Sequence, residues 1–221
     1  MSARRLPTAA VSTLLAILMV GAVLAAFASM AHAASTPPQA ERYRRDLIRS
    51  ARYVFGMTAP VALLAGQVHQ ESAWNPMAKS AYASGLAQFT PGTARDMARL
   101  HPQDLGRSSP SGAPTDPRWA LLALCIYDKS LYDAAAFAAT DGDRWRFALW
   151  GYNGGWGWVQ KDRAKAKALG LNPNSAADVA QVNNGRAAEF FRENRNYDKA
   201  IDRHQWLYLP WGPGVAMRGV P

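Results

Sequence analysis

Apolar residues recur every three or four positions along most of this chain, and no stretch alternates convincingly between apolar and polar. The first spacing is typical of helices that bury one face, whereas alternation would indicate strands. We therefore predict an all-α fold built from short to medium helices. The predicted helices cover residues 41–55, a segment from about 60 that ends before 75, and residues 93–100, 119–139, 144–150, 156–169, 175–194 and 197–205.

Proline, glycine and small residues mark the boundaries between these segments. Thr58 and Pro60 suit the N-cap and the first turn of the second helix. Residues 77–92 and 102–117 are rich in small residues, glycine or proline, so both are predicted to be loops. The chain beyond Pro210 should be irregular for the same reason.

The N-terminal segment has the pattern of an export signal. Arg4 and Arg5 precede a run without charged residues from Leu6 to Ala40, and small residues surround Ala33. A basic start, an apolar middle and a small-x-small end are typical of a secretory signal peptide. The apolar part also reaches the roughly 20 residues that span a bilayer, so a membrane anchor, either retained or temporary and later released, is an equal alternative. Either reading predicts export to the periplasm.

These boundaries give a plan for the whole chain of 221 residues. That length suffices for one domain with a real core plus extra segments. The plan is a signal peptide or signal-anchor at 1–33, with 6–33 as the possible tether, a linker at 34–40, a folded domain at 41–209 and an irregular tail at 210–221.

The net charge limits the classes of partner. It is +9 in total, and setting aside Arg4 and Arg5 leaves +7, because no acid precedes Glu41. Such a charge attracts an anionic polymer or surface. There is no basic helix with base-reading spacing and no zinc-ligand pattern, so nucleic acid is not expected as a partner. A cell-wall polymer suits an exported chain, and the lone Cys125 lies in an apolar run that predicts burial.

One acidic residue falls on a helix face that should be buried. Leu64 and Val68 mark the apolar side of the second helix, and Glu71 follows them by seven and three residues. Burial disfavours a charged carboxylate and raises its pKa by roughly two or three units. The result is a proton donor that works near neutral pH, as glycosidic-bond cleavage requires.

A series of short motifs gives this acid a context. In order, these are the run from Glu71 to Pro76, the run from Ala78 to Ser80, the run from Gly85 to Ala94, the run from Ala148 to Gly155 and the run from Glu193 to Tyr197. Each motif alone is weak, but the ordered set resembles the catalytic domain of soluble-type lytic transglycosylases, relatives of goose-type lysozyme. A single domain behind a hydrophobic segment also looks like a phage lysis enzyme.

The resemblance implies a lysozyme-like helical fold and a mechanism with one carboxylate. Glu71 would protonate the glycosidic oxygen between N-acetylmuramic acid and N-acetylglucosamine. It would then accept the proton of the muramic acid C6 hydroxyl as that oxygen attacks C1, which leaves a 1,6-anhydro end. Most glycosidases instead use a pair of carboxylates. No second acid lies near the motifs around Ser80, Gln88 or Asn153 in sequence. Asp96 should face solvent, and Asp116 or Asp141 would have to fold over the cleft to make hydrolysis possible.

The resemblance also implies a set of substrate-binding residues. Hydroxyl and amide side chains would hydrogen-bond to the sugar, and Gly85 would let the backbone approach it because glycine has no Cβ. Tyr152 and Tyr197 would lie beside the acid. The alternative for Gln88 is a solvent-facing amide, and for the other members of the set it is a turn or core role. The residues are Ser80, Gly85, Leu86, Gln88, Tyr152, Asn153 and Tyr197.

The chain departs from the family pattern in two motifs. Ala87 stands where the family usually has Met, and Gly151 and Gly154 stand where it usually has Ala. These changes bear on subsite preference more than on the existence of a site. Aromatic rings stack on sugar faces, and among the tryptophans Trp156 is the best candidate for that contact.

Three other functions stay open at this point. The same fold can act as a muramidase that uses water, or the chain can be a cell-wall binding module without activity, although a binder gains nothing from a buried acid. The third is a cationic membrane-disrupting protein. No cofactor or metal is implied, because proton transfer and attack by a sugar hydroxyl need neither. We expect a monomer whose partners are peptidoglycan glycan strands and, through the N-terminal segment, the inner membrane.

Overall fold

A computed structural model describes residues 36–106, 109 and 111–217, so the expected leader lies outside the described residues. From Pro38 onward the chain forms one compact unit. In the described residues the regular secondary structure is helical, apart from two isolated antiparallel bridges, which join Lys79 to Ser84 and Ser84 to Phe89. The expectation of an all-α fold is confirmed. None of the helices in the described ranges combines the length and apolar character that a bilayer crossing needs.

The helices of the described residues follow one another through short connections. They are α1 (Pro38–Glu41), α2 (Arg44–Phe55), α3 (Val61–Ser72), α4 (Pro91–Leu100), α5 (Pro102–Leu105), α6 (Pro117–Ala134), α7 (Asp141–Gly154), α8 (Trp156–Ala168), α9 (Ala176–Val179), α10 (Ala188–Gln205) and a 3₁₀ helix (Trp206–Trp211).

Side-chain caps explain several of the helix starts. Thr90 accepts a hydrogen bond from the Thr93 backbone N–H at 3.1 Å, and Asp116 accepts one from Trp119 at 2.9 Å. Each cap satisfies a first-turn donor that has no partner within the helix. The predicted cap role of Thr58 is wrong, because α3 begins only at Val61 after an N-cap proline without a side-chain hydrogen bond.

Two helix boundaries differ from the prediction in a way that affects the site. The helix expected over 175–194 breaks after Val179, where Asn183 closes a turn by accepting from the Arg186 N–H at 2.8 Å and donating to its carbonyl at 2.7 Å. The next helix, α10, then runs without interruption through 195–196. Likewise α7 continues to Gly154, so the Gly151–Gly154 motif is helical and not a turn.

Helix α3 lies in the middle of the core. Every residue from Val61 to Val68 is buried, and α10 crosses it on one side while the 3₁₀ helix packs on another. The two helices touch backbone to backbone at Gly66, where a Cβ atom would lie 2.9 Å from the Gln205 nitrogen and 3.0 Å from the Ile201 carbonyl oxygen. This contact sets the C-terminal turn of α3 against the middle of α10. Cys125 is buried in the same core, as predicted.

Candidate active site

An open cleft of about 780 Å³ runs between the end of α3, the loop that follows it, the end of α7 and the outer face of α10. The structure brings most of the predicted site residues to its walls although they come from four separate parts of the chain. The predicted residues that line the cleft are Glu71, Ser80, Gln88, Tyr152, Asn153 and Tyr197.

Glu71 stands on the last turn of α3 with its side chain partly exposed to the cleft. The Tyr197 hydroxyl on α10 donates a hydrogen bond to its Oε1 atom. Burial raises the pKa of Glu71 to about 7, the charge of Glu193 adds to the rise, and the hydrogen bond from Tyr197 opposes it. Because desolvation outweighs the tyrosine donor, a substantial fraction of the carboxyl is protonated at neutral pH.

Aromatic rings form the wall behind this acid. Tyr152 and Tyr197 stack nearly parallel with ring centroids 6.5 Å apart, and Tyr127 and Phe89 lie 5.3 and 6.0 Å from Tyr152. Burial raises the pKa of both Tyr152 and Tyr197 well above the usual value, so each remains a hydrogen-bond donor. The apolar wall is what withholds water from Glu71.

The loop after α3 is held in place by hydrogen bonds that its backbone carbonyls accept from side chains on the neighbouring helices. The Ser72 hydroxyl donates to the Leu86 carbonyl at 2.9 Å, and Tyr152 donates to the Ala87 carbonyl at 2.7 Å. Gln88 has a left-handed backbone with φ of 46°, and its amide nitrogen donates to the carbonyls of Ala78 and Gly85 at 3.2 and 3.0 Å. Gln88 thus braces the loop while it also lines the cleft.

Ser80 is exposed at the cleft edge, where its hydroxyl oxygen accepts from the Ala83 N–H at 3.0 Å. Gly85 and Leu86 do not line the cleft. Gly85 has a φ of 81°, and a Cβ atom there would fall 1.6 Å from the Pro114 carbonyl oxygen. The absence of a side chain at Gly85 therefore makes room for the protein backbone at Pro114. The Leu86 side chain is fully buried in the core.

Asn153 is fixed by neighbours on α10. Its Oδ1 atom accepts from the Asn194 Nδ2 atom at 2.9 Å, and its own Nδ2 donates to the Glu193 Oε1 atom at 3.3 Å. Asn194 is buried and also donates to the Trp150 carbonyl at 2.9 Å. The amide of Asn153 is therefore held at one orientation in the cleft.

Glu193 is a second carboxylate at the cleft, and sequence reasoning missed it. It lies four residues before Tyr197, so on a continuous helix both side chains share one face. The predicted break before Tyr197 hid that relation. The acids considered from sequence lie elsewhere: Asp96 is exposed beside Arg99, and Asp116 caps α6.

Asp141 also lies away from the cleft, where it accepts a hydrogen bond from Tyr132. A further acid, Asp128, is fully buried and accepts from the Gln67 amide at 3.3 Å. Burial raises the pKa of Asp128 well above its usual range, with the nearby Glu71 adding to the rise. No sequence signal set Asp128 apart, because it lies within the apolar spacing of α6.

Trp156 is partly buried, packs against the core and does not line the cleft. Its ring lies 6.2 Å from Phe137, and a Cβ atom on Gly151 would approach the Trp156 ring to 2.9 Å. The glycine in place of alanine at 151 therefore makes room for this indole. Ala87, the other departure from the family pattern, is fully buried.

A carboxyl with a raised pKa and a tyrosine donor, set in an open cleft on an all-helical domain, has the features of a general acid. The profile of the family described as the Transglycosylase SLT domain matches residues 57–174, just over half of the chain. The chain belongs to this family. The resemblance drawn from the motifs is confirmed.

Relatives in two bacteria carry the same name, "Membrane-bound lytic murein transglycosylase F". The protein of Maricaulis maris is 35% identical over 121 residues, which cover 54% of this chain and 24% of the relative. The protein of Shewanella woodyi is 32% identical over 120 residues, which cover 54% of this chain and 22% of the relative. This chain thus spans about a quarter of the length of these relatives.

A solved structure shares the fold. The 70 kDa soluble lytic transglycosylase from Escherichia coli superposes with a TM-score of 0.53 at 27% sequence identity. The match covers 76% of this chain and 24% of that one. The expected lysozyme-like helical architecture is confirmed.

Proposed function

We propose that this chain is a peptidoglycan lytic transglycosylase that cleaves the β-1,4 bond between N-acetylmuramic acid and N-acetylglucosamine and leaves 1,6-anhydro ends. The observation that carries the proposal is the Glu71 carboxyl, which has a pKa of about 7 and accepts a hydrogen bond from Tyr197 at the cleft wall. Membership in the SLT family supports the same reaction.

The two halves of the reaction use the two states of this carboxyl. Protonated Glu71 gives its proton to the glycosidic oxygen, and the bond between that oxygen and C1 of the muramic acid breaks as N-acetylglucosamine leaves. The carboxylate that forms is stabilised by the Tyr197 hydroxyl, since a donor to a carboxylate favours the charged form. It then takes the proton of the C6 hydroxyl while that oxygen bonds to C1, which restores the acid.

We assign the remaining cleft residues to substrate binding. Ser80, Gln88 and Asn153 present hydroxyl and amide groups to the sugar, and Tyr152 shields Glu71 from water. Gly85 and Leu86 contribute to substrate binding indirectly, because they shape the loop that carries Gln88.

A muramidase that uses water is the second candidate, and Glu193 is the observation that favours it. Hydrolysis commonly needs a second carboxylate to activate water, and Glu193 lines the same cleft as Glu71. The mass of the released muropeptides separates the two reactions. Anhydro ends are lighter than reducing ends by one water molecule.

The test of the catalytic proposal is Glu71→Gln on purified peptidoglycan. Loss of the acid should lower the release of soluble muropeptides about 10²- to 10⁴-fold, the usual contribution of general acid–base catalysis. Glu189→Gln is the matched control, because Glu189 is an exposed acid on α10 away from the cleft wall. Undiminished cleavage by a folded Glu71→Gln variant contradicts the proposed role of Glu71. Lysis of cells that persists in this variant while purified peptidoglycan stays intact points instead to a membrane-disrupting role.

We further propose that the enzyme acts in the periplasm as a monomer, for cell-wall lysis of the phage endolysin type. Residues 1–33 serve as signal or anchor, 6–33 as the tether and 41–209 as the catalytic domain, with the linker and tail outside it. The relatives' name describes those proteins as membrane-bound, which supports a site of action at a membrane. The N-terminal sequence of the mature protein distinguishes a cleaved leader, with a start near Ala34, from a retained one.

A further inference from the structure

Asp128 is a second buried carboxyl close to the catalytic acid, and the mechanism above gives it no role. It lies on α6, one residue after Tyr127, which lines the cleft, and its side chain is fully buried. Burial raises its pKa, and the charge of Glu71 adds to the rise. Two carboxyls that share one dry region do not both ionise readily, so the charge state of Asp128 affects Glu71.

Asp128 lacks the cationic partner that other buried acids have. Two other buried acids of the described residues each lie against an arginine. Asp162 accepts a hydrogen bond from the Arg195 Nη2 atom at 2.6 Å, and an Asp198 oxygen lies 3.3 Å from the Arg146 Nε atom. A buried carboxylate without such a partner is costly, so burial favours the neutral acid at Asp128.

Titratable groups on four helices interact electrostatically with Asp128. Burial raises the pKa of each of them, so each favours its protonated form and brings no positive charge to Asp128. These groups are Glu71 on α3, Cys125 and Tyr127 on α6, Tyr152 on α7 and Tyr197 on α10.

The hydrogen bonds around Asp128 require a proton. The Gln67 Nε2 atom donates to the Asp128 Oδ1 atom at 3.3 Å. The other oxygens of this pair, Gln67 Oε1 and Asp128 Oδ2, are both buried acceptors without a hydrogen-bond partner among the described residues. A proton on Oδ2 turns that atom into a donor, which the Gln67 oxygen can accept. Reversing the amide does not help, because its oxygen would then face Oδ1, another acceptor.

Gln67 connects this pair to the catalytic acid. It lies four residues before Glu71 on α3, so the two side chains are neighbours on one helix face. Gln67 is fully buried, whereas Glu71 lines the cleft. The acid–amide pair therefore joins α3 to α6 one turn before the residue that donates the catalytic proton.

We propose that Asp128 is a positioning residue that stays protonated throughout the reaction. Its proton binds the Gln67 amide and keeps a second negative charge out of the core beside Glu71. Glu71 can then ionise after it has protonated the glycosidic oxygen. Its negative charge strengthens the hold of Asp128 on its own proton, so one carboxyl of the two exchanges protons and the other does not. The inference rests on the proposed function and extends it to a residue outside the cleft.

The charge state is tested by the stability of Asp128→Asn against pH. Asparagine reproduces the neutral acid, because its oxygen accepts from the Gln67 amide and its nitrogen donates to it. In the wild type, the folded protein keeps a proton that the unfolded chain loses above a pH of about 4. The ratio of folded to unfolded protein in the variant should therefore gain about tenfold over the wild type for each pH unit between pH 5 and pH 8.

Chemical denaturation measures this ratio, and Asp96→Asn is the matched control. Asp96 is an exposed acid beside Arg99, so the same substitution there should give a curve parallel to that of the wild type. A curve for Asp128→Asn that is also parallel to the wild type would mean that Asp128 is ionised in the folded protein, and it overturns the proposal.

The positioning role is tested by the kinetics of Asp128→Leu and its rescue by asparagine, with soluble peptidoglycan strands as substrate. Leucine cannot bond to Gln67, so kcat should fall about tenfold, the contribution of about one hydrogen bond, with KM unchanged. Asparagine should restore kcat and the wild-type dependence of kcat/KM on pH. An alkaline limb at lower pH in Asp128→Asn would show that Asp128 carries a charge that raises the pKa of Glu71, which overturns the proposal.

The two proposals fail separately. Absence of cleavage by the wild type counts against the proposed function, and the stability curves, which need no substrate, then decide the charge state of Asp128. Cleavage by the wild type together with an unchanged kcat in Asp128→Leu overturns the positioning role and leaves Glu71 as the catalytic acid. If the leucine variant does not fold, the stability curve and the pH profile of Asp128→Asn decide.

Discussion

At the scale of single residues, the behaviour of Glu71 depends on two neighbours that act in opposite directions. The Tyr197 hydroxyl donates to the carboxylate and lowers its pKa, whereas the charge of Glu193 raises it. Both effects are smaller than desolvation, which comes from the tyrosine wall. The pKa of Glu71 is thus set mainly by burial and adjusted by the Tyr197 hydrogen bond and the charge of Glu193.

The pair of variants Tyr197→Phe and Glu193→Gln should therefore shift the alkaline limb of activity in opposite directions. Activity falls as Glu71 loses its proton. Tyr197→Phe raises the pKa of Glu71 and moves that limb to higher pH, while Glu193→Gln lowers it and moves the limb to lower pH. The measurement is kcat/KM against pH. Tyr127→Phe is the control, because it removes a hydroxyl from the same cleft and leaves the Glu71 hydrogen bond intact. Shifts in the same direction for both variants would refute this account.

Helical spacing was enough to place Glu71 at the border of the core, because that argument needs only neighbours on one helix. The contact at Gly85 could not be predicted from helical spacing. Its close neighbour, the Pro114 carbonyl, is 29 residues away in sequence, and no local sequence pattern indicates that the two meet. The pairing of Tyr197 with Glu71 came from family resemblance. The electrostatic role of Glu193 depends on a helix contact that the sequence alone does not contain.

At the scale of secondary-structure elements, the site depends on how closely α10 lies against α3. The predicted break at residues 195–196 is absent. Asn194 and Arg195 are buried and hydrogen-bonded on the continuous helix, so part of this polar run faces inward. Polar residues that pair with distant partners mimic loop composition. This explains why helix type was predicted well and the boundaries around the second half of the site were not.

Gly66→Ala tests this helix contact. The added methyl group meets the backbone of α10, which cannot yield as a side chain does, so we expect a loss of about 1–3 kcal/mol in the free energy of unfolding. Cleavage should fall as well, since the Tyr197 hydroxyl moves away from Glu71. Gly157→Ala on α8 is the matched control: a Cβ atom there meets nothing within 4 Å. Alanine at 157 should be neutral or stabilise by up to about 1 kcal/mol. Chemical denaturation measures both, and equal effects at the two sites would exclude the contact as the cause.

At the scale of the whole molecule, the raised pKa of Glu71 makes the catalytic acid a cost to stability. The folded pKa is about 7 against an ordinary value of 4.5. Between these two pH values the unfolded chain has lost the proton that the folded protein keeps, so stability falls as pH rises and then stays level above 7. Glu71→Gln removes this cost and keeps an acceptor for Tyr197. The variant should match the wild type below pH 4.5 and exceed its free energy of unfolding by at most about 3 kcal/mol at pH 8.

This comparison reports on Glu71 together with Asp128, whose pKa is raised by burial and further by the charge of Glu71. Acids away from the cleft titrate equally in both proteins and cancel in the difference. Denaturant midpoints measured from pH 4 to pH 9 give the two curves, and Glu189→Gln, which changes an exposed acid, should follow the wild type throughout. Curves for Glu71→Gln and the wild type that stay parallel across that range would mean that folding does not hold the proton on Glu71. In that case the group that must donate at neutral pH is already ionised, and the acid step of the proposed mechanism loses its physical basis.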